Sequence, residues 1–163
     1  MHRTVRFTNS ENIEIAGTLH LPDAGPVRAC ALFAHCFTCT RNIKAAVHIA
    51  EALVAQGIGV LRFDFTGLGQ SGGAFADTHF SSNVQDLIDA AAWLKAEYQA
   101  PEILVGHSLG GTAVLAAAHQ LDSVVAVATI GSPAEAEHVF HLLQDDLPTI
   151  DAEGEARVKL AVR

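Results

Sequence analysis

Gly106-His107-Ser108-Leu109-Gly110 is the stretch of this sequence that decides the fold. It follows a short apolar run and opens a run of small residues over 109–120 that is typical of a helix. A strand, a sharp turn and a helix in this order raise the middle residue of the turn at the carboxyl end of a sheet. Glycine at 106 and 110 removes side chains that would collide in such a turn. The pattern therefore predicts that the hydroxyl of Ser108 is presented at the edge of a sheet.

The chemistry expected of this turn is nucleophilic catalysis by Ser108. The main-chain N–H of Leu109, at the start of the helix, is placed to donate to a developing oxyanion, and a second donor must come from the loop after the third strand. That loop is His35-Cys36-Phe37-Thr38. His107 is too close in sequence to reach the hydroxyl, so we interpret it as a wall of the pocket. A plain turn serine at 108 is the alternative.

Apolar runs alternate with helical patterns along the rest of the chain. Four runs are typical of strands buried on both faces of a parallel sheet, namely 29–34, 59–65, 102–106 and 124–130. Helical periodicity separates them over 43–56, 82–98 and 109–120. Strands predicted at 3–9 and 13–21 form a hairpin. The sequence predicts an α/β fold with a doubly wound, mostly parallel sheet of about six strands and an antiparallel N-terminal pair.

Two local signals mark the ends of the predicted helices. Gly57 follows the first helix as a C-terminal cap. Ser82 and Gln85 have the spacing of a capping box at the start of the second helix.

Composition excludes several classes of protein. The chain has 163 residues, of which 50% are hydrophobic, which suits one domain. Its 10 basic and 18 acidic residues give a net charge of −8, which argues against nucleic acid as a partner. No apolar run is long enough for a membrane span, and the N-terminus has no apolar secretion signal. The odd count of 3 cysteines favours a reducing compartment, and we predict the cytoplasm.

Three motifs together resemble the α/β-hydrolases of the serine-hydrolase, lysophospholipase or serine-aminopeptidase-like kind. Ala34-His35-Cys36-Phe37 is similar to the His-Gly-x oxyanion loop of that family, with Cys36 where glycine is usual. Asp64-Phe65-Thr66-Gly67-Leu68-Gly69-Gln70-Ser71 is similar to the turn after its fourth strand, and 106–110 to its nucleophile elbow. The residues of the first two motifs further resemble those of hydrolases that are fused upstream of an OsmC-like domain.

The resemblance implies a role for each motif. It implies that Ser108 is the nucleophile, that the main-chain N–H groups of Phe37 and Leu109 form the oxyanion hole, and that the substrate is a small acyl compound. It implies neither a cofactor nor a metal. The residues that support the motifs are His35, Cys36, Asp64, Gly67, Gly106, His107 and Gly110.

The acid and the base of the catalytic triad are not found at the expected places. In this family they follow the nucleophile in the order acid, then histidine, after later strands. We predict a single partial domain over 1–163, with a hairpin at 1–22, a core at 29–131, and a helix plus an unpaired strand at 133–163. His138, His141 and the nearby acids are interpreted as exposed helix residues. Such a chain would be weakly active or inactive.

Three alternatives stay open beside this interpretation. A non-catalytic fragment or binding module would keep the fold and the pocket. The Gly67–Gly72 stretch has the G-x-G-x-x-G spacing of a dinucleotide site, but 73–80 reads as loop where that site needs a helix. Cys36 and Cys39 form a C-x-x-C for which a structural thiol pair is favoured over a redox or metal site. An open sheet edge also predicts self-association.

Overall fold

A computed structural model of the protein describes residues 1–134, 145 and 147–154. Its strands are β1 His2–Thr8, β2 Glu14–His20, β3 Ala29–Ala34, β4 Ile58–Phe63, β5 Pro101–His107 and β6 Ala126–Ile130. Its helices are α1 Lys44–Ala55, α2 Phe80–Glu97, α3 Leu109–Ala118 and α4 Leu147–Glu153, with a 3₁₀ turn at Phe75–Asp77.

The sheet has the order β1-β2-β4-β3-β5-β6. The pairs β1/β2 and β2/β4 are antiparallel, whereas β3/β4, β3/β5 and β5/β6 are parallel. This topology confirms the predicted α/β fold with an antiparallel N-terminal pair. Because β3, β4 and β5 run in the same direction, their carboxyl ends meet at one edge of the sheet. The three sequence motifs follow these three strand ends and are brought together there.

The central strands β3, β4 and β5 contribute to a core on each face of the sheet, because successive side chains of a strand point to opposite faces and helices pack on both. On one face, Leu32, Leu61 and Leu104 lie in a core that includes residues of α2 and α3. On the other, Phe33 and Val60 lie in a second core with alanines of α1. The apolar runs that form β3, β4 and β5 therefore correspond to central strands, as their composition predicts. The prediction of a strand buried on both faces is wrong for 124–130, because this run forms the edge strand β6, in which every residue is exposed.

The helix ends agree with one predicted signal and correct the other. Gly57 has φ +81 and its N–H donates to the Val54 carbonyl, as a glycine after a helix does. The predicted capping box of Ser82 and Gln85 is wrong. The helix begins at Phe80, so the cap is His79, whose Nδ1 accepts from the Ser82 N–H at 3.1 Å while Ser82 Oγ accepts from the His79 N–H at 3.0 Å.

The chain divides into two units, Met1–Ser132 and Pro133–Arg163. The sheet and α1 to α3 belong to the first unit, and α4 belongs to the second. Most of the helix predicted over 133–147 and all of the strand predicted after residue 154 lie outside the described residues. Within the described ranges, no helix is both long and apolar enough to cross a membrane.

Candidate active site

The turn between β5 and α3 has the backbone strain expected of a nucleophile elbow. Ser108 has φ +53 and ψ −122, a backbone conformation that residues other than glycine rarely adopt. Its N–H donates to the Ile130 carbonyl at 2.9 Å, and its carbonyl accepts from the Gly111 N–H at 2.8 Å. The Ser108 hydroxyl makes no capping hydrogen bond to α3. The backbone is held on both sides, and the hydroxyl is left for other chemistry.

Two glycines allow this turn to pack against its neighbours. A Cβ at Gly106 would lie 2.4 Å from the Gly110 carbonyl oxygen. A Cβ at Gly110 would lie 2.4 Å from the carbonyl oxygens of both Ala34 and His35. The helix N-terminus therefore touches the main chain at the end of β3. This contact puts the elbow beside the loop that starts at His35.

His35 sets the orientation of that loop. Its side chain is fully buried, and its Nδ1 lies 2.7 Å from the Cys36 carbonyl oxygen. The Phe65 N–H donates to Nε2 at 3.4 Å, so the proton is on Nδ1, which donates to Cys36. Burial lowers the pKa of His35, which keeps the ring neutral. The Cys36 carbonyl shares its peptide plane with the Phe37 N–H, so His35 orients that N–H.

Cys36 occupies its position in the loop without the positive φ that glycine would allow. Among the described residues, the non-glycine residues with left-handed φ are Asn12 and Ser108. Cys36 therefore has an ordinary backbone conformation, although it stands where the related motif has glycine.

The two residues predicted to form the oxyanion hole line one small cavity. Phe37 and Leu109 both contribute to its wall, together with His35 and Phe65. The ring of Phe37 also packs edge-on against Phe75 at 4.7 Å between centroids. The lining of the cavity is largely apolar. The structure thus brings Phe37 and Leu109 together beside Ser108.

Asp64 braces the neighbouring turn. Its Oδ1 accepts from the Arg41 N–H at 2.6 Å, and its Oδ2 accepts from the Gln70 N–H at 2.9 Å and from Arg41 Nη1. A Cβ at Gly69 would lie 2.2 Å from Asp64 Oδ2. The Gly67 N–H donates to the Gly72 carbonyl at 2.8 Å, and α2 begins only at Phe80. The G-x-G-x-x-G spacing is therefore explained by a closed turn around a buried carboxylate.

Comparison with known proteins supports the family indicated by these features. A family model described as serine aminopeptidase, S33, matches residues 25–145. The chain belongs to this hydrolase family. Comparison with curated proteins finds no match.

Solved structures similar to this S33-family hydrolase are α/β-hydrolases. An esterase domain from Rhodothermus marinus is 47% identical, with a TM-score of 0.72, over 87% of this chain and 57% of that chain. An α/β serine hydrolase without a lid from Xanthomonas campestris is 26% identical, with a TM-score of 0.74, over 83% and 63%. An α/β-hydrolase from Penicillium is 21% identical, with a TM-score of 0.78, over 94% and 54%. The chain thus spans a little over half the length of these relatives. The resemblance to fusions with an OsmC-like domain stays a prediction.

Sequence reasoning missed several buried polar residues of this hydrolase. Arg41 and Asp86 have no local motif, because their partners are distant in sequence. Asp86 accepts from the Thr66 N–H at 2.8 Å and from Asn9 Nδ2 at 2.9 Å, and burial raises the pKa of its carboxyl. The signal available in the sequence was an acidic residue at a buried position of an amphipathic helix.

The cysteine pair differs from the prediction of free thiols. The structure joins Cys36 and Cys39 in a disulfide, while Cys30 is free and buried in β3. The physical reason is a tight turn, in which the Cys39 N–H donates to the Cys36 carbonyl at 3.1 Å and the two Cα atoms lie 5.2 Å apart. This separation is in the normal range for a disulfide.

The acid and the base of the hydrolase are not identified. Among the described residues, no histidine makes a hydrogen bond with Ser108. Asp145 and Asp151 are exposed residues of the second unit. The other nominal candidates, Glu135, Glu137, Asp146, His138 and His141, lie outside the described residues.

Proposed function

We propose that this chain carries the nucleophile and the oxyanion hole of a serine hydrolase that acts on small acyl compounds, with esters favoured over amides. The observation that supports it is the left-handed backbone of Ser108 at the N-terminus of α3, beside a cavity lined by Phe37 and Leu109. Strain at a residue held from both sides is typical of functional sites.

In the proposed reaction, Ser108 Oγ attacks the acyl carbonyl carbon. The carbonyl oxygen becomes an oxyanion, which accepts hydrogen bonds from the Leu109 and Phe37 N–H groups. The bond to the leaving alcohol breaks, and the alcohol takes the proton that the base removed from Ser108. Water then attacks the acyl-enzyme and releases the acid. No cofactor takes part in these steps.

Two findings support esters. The Rhodothermus marinus relative is an esterase domain that is 47% identical to this chain. The apolar wall of the cavity also favours an acyl chain over a charged group. Because the chain spans only 57% of that relative, the activity of the whole protein is itself a proposal.

We further propose that neither the described residues nor the region around His138 and His141, which we predict to be an exposed helix, supplies an effective base or acid. Without a base, only the oxyanion hole and binding contribute, which is of order 10³–10⁴-fold over water in a well-studied serine protease. The 163-residue chain should therefore hydrolyse p-nitrophenyl esters slowly.

The experiment compares p-nitrophenyl butyrate hydrolysis by the chain with that by Ser108→Ala. Mass spectrometry of the incubated chain should find a butyryl group on Ser108, lost in Ser108→Ala and retained in Ser81→Ala, a matched change at an exposed serine of α2. Absence of a butyryl group on Ser108 would contradict its role as nucleophile. A fast rate that Ser108→Ala abolishes would keep the nucleophile and contradict the missing base.

The cytoplasm remains the proposed location, on the basis of the cysteine count. In a reducing compartment, Cys36 and Cys39 would be held as two thiols rather than as a disulfide. The small acyl substrate is the proposed partner, and the charge balance argues against nucleic acid.

A further inference from the structure

A group of three metal-ligating side chains lies beside the elbow. Sγ of Cys36, Sγ of Cys39 and a ring nitrogen of His107 are all within 4.8 Å of one another. The cysteines follow β3 and the histidine ends β5, and these strands are parallel neighbours with Ala34 opposite Gly106. The sheet therefore brings the three donors together from positions about 70 residues apart in the sequence.

His107 supplies an independent observation. Its Nδ1 is buried and has no hydrogen-bond partner among the described residues. Leaving a buried polar atom without a partner is unfavourable for folding. The catalytic role proposed for Ser108 does not use this nitrogen. A histidine with an unpartnered buried ring nitrogen therefore belongs to the same group as two cysteine sulfurs.

We propose that Cys36, Cys39 and His107 form a site for one thiophilic divalent ion of the zinc class when the cysteine pair is reduced. Two thiolates and one imidazole are a common zinc donor set, and C-x-x-C is the usual spacing of a ligand pair. Zinc bonds of about 2.0–2.3 Å in a tetrahedron keep ligand atoms about 3.3–3.8 Å apart. The donors here already lie within reach of that spacing. Three protein ligands leave the fourth position to water.

The disulfide and the ion exclude each other. A dithiol reductant gives two electrons and two protons to the Cys36–Cys39 bond, and the reductant becomes a cyclic disulfide. Each new thiol then loses its proton as it binds the ion. The ion would link the loop that carries Phe37 to the strand end that precedes Ser108. Both sides of the oxyanion hole would thereby be held by one centre.

Cobalt absorption spectroscopy tests this site directly on the whole chain, because Co²⁺ replaces zinc and reports its ligands. We expect the reduced chain to bind one Co²⁺ with a thiolate charge-transfer band and the strong visible bands of a four-coordinate ion. Zinc should displace it. The oxidised chain should show neither band. Absence of thiolate bands in the reduced chain would overturn the proposal without any variant.

Two variants then assign the ligands. His107→Asn should weaken Co²⁺ binding at least about tenfold, and Cys39→Ser should remove most of the charge-transfer band. Cys30→Ala and His48→Asn are the matched controls, since Cys30 lies in β3 and His48 is exposed on α1. Circular dichroism establishes that each variant is folded. An unchanged affinity in folded His107→Asn would contradict the three-ligand site.

Discussion

Two glycine-rich turns at the same edge of the sheet use their polar residues in opposite ways. In the turn at 64–72, both carboxylate oxygens of Asp64 accept hydrogen bonds, and Arg41 and Gln70 supply them. In the elbow at 106–110, the hydroxyl of Ser108 does not cap its helix, and Nδ1 of His107 has no partner among the described residues.

The difference indicates that the turn at 64–72 has a structural role and the elbow a chemical one. A buried polar group whose partners are all within the protein stabilises one conformation and has little left to offer a substrate. Backbone strain and unpartnered polar atoms cost free energy, and such costs are concentrated at functional sites. The first turn therefore fixes the shape of the edge, and the elbow presents the reactive groups. Changes to the first turn and its network should therefore lower stability, whereas changes at the elbow should alter reactivity.

The largest effect should come from Asp64→Asn. Removing the carboxylate charge leaves the Arg41 guanidinium buried and unneutralised, which should lower the free energy of unfolding by about 3–5 kcal/mol. Urea titration followed by circular dichroism measures it. Asp23→Asn removes an exposed charge that pairs with the N-terminus, and it should leave the midpoint nearly unchanged. Equal midpoints for the two variants would mean that the first turn is not the support we describe.

Much of this architecture was predictable from local sequence patterns. The apolar runs predicted β3 to β6 and the elbow predicted the start of α3, because both signals lie within a few residues of chain. The Arg41–Asp64 pair and the group of Cys36 with His107 depend on which strands become neighbours, which no local pattern encodes. His79 was missed as a cap because histidine is an unusual capping residue.

The next largest effect should come from pH. Lowering the pH should destabilise the hydrogen-bond network that includes Arg41 without any substitution. His20 accepts from Arg62 Nε, and Arg62 donates to the Arg41 carbonyl, so His20 belongs to the same network. Burial, with the charge of Arg62, lowers the pKa of His20 to about 4. Between pH 6.5 and about 4 the unfolded chain binds a proton that the folded protein does not. Stability should therefore fall as the pH falls, by up to about 1.4 kcal/mol per pH unit from this group.

A matched pair of variants isolates that contribution. His20→Gln keeps an acceptor for Arg62 but does not titrate, so its stability should depend less on pH between about 4 and 6.5. His48→Gln, at an exposed site on α1, should keep the wild-type slope. Urea titrations at several pH values measure both. If the free energy of unfolding depended on pH equally in wild type and His20→Gln, the predicted contribution of His20 would be contradicted.

At the elbow, stability should respond in the opposite direction. Ser108→Gly relieves the left-handed backbone and should raise the free energy of unfolding by about 1 kcal/mol, while it abolishes hydrolysis. Ser81→Gly, in the first turn of α2, should lower it by up to about 1 kcal/mol. Thermal unfolding compares the two. A destabilised Ser108→Gly would show that the elbow is part of the support.

The smallest effect concerns the strand beside the elbow. The Ser108 N–H donates to the Ile130 carbonyl. Among the strands that the structure describes, β6 is the last in the sheet order, and every residue from Ala126 to Ile130 is exposed. We expect two copies of the chain to associate weakly through this edge. Val127→Lys should reduce the association in sedimentation velocity. Leu115→Lys, at an exposed site on α3, is the control, and an equal reduction by both variants would contradict the edge.

Reaction with a fluorophosphonate, with the modified residue located by mass spectrometry, tests the central claim most directly. The reagent needs a hydroxyl next to oxyanion donors and does not need deacylation, so a chain without its base should still react when the reagent is in excess, although slowly. We predict an adduct on Ser108, retained in Ser81→Ala and lost in Ser108→Ala. An unmodified Ser108, or adducts spread equally over Ser71, Ser82 and Ser132, would contradict the account and favour a non-catalytic binding module.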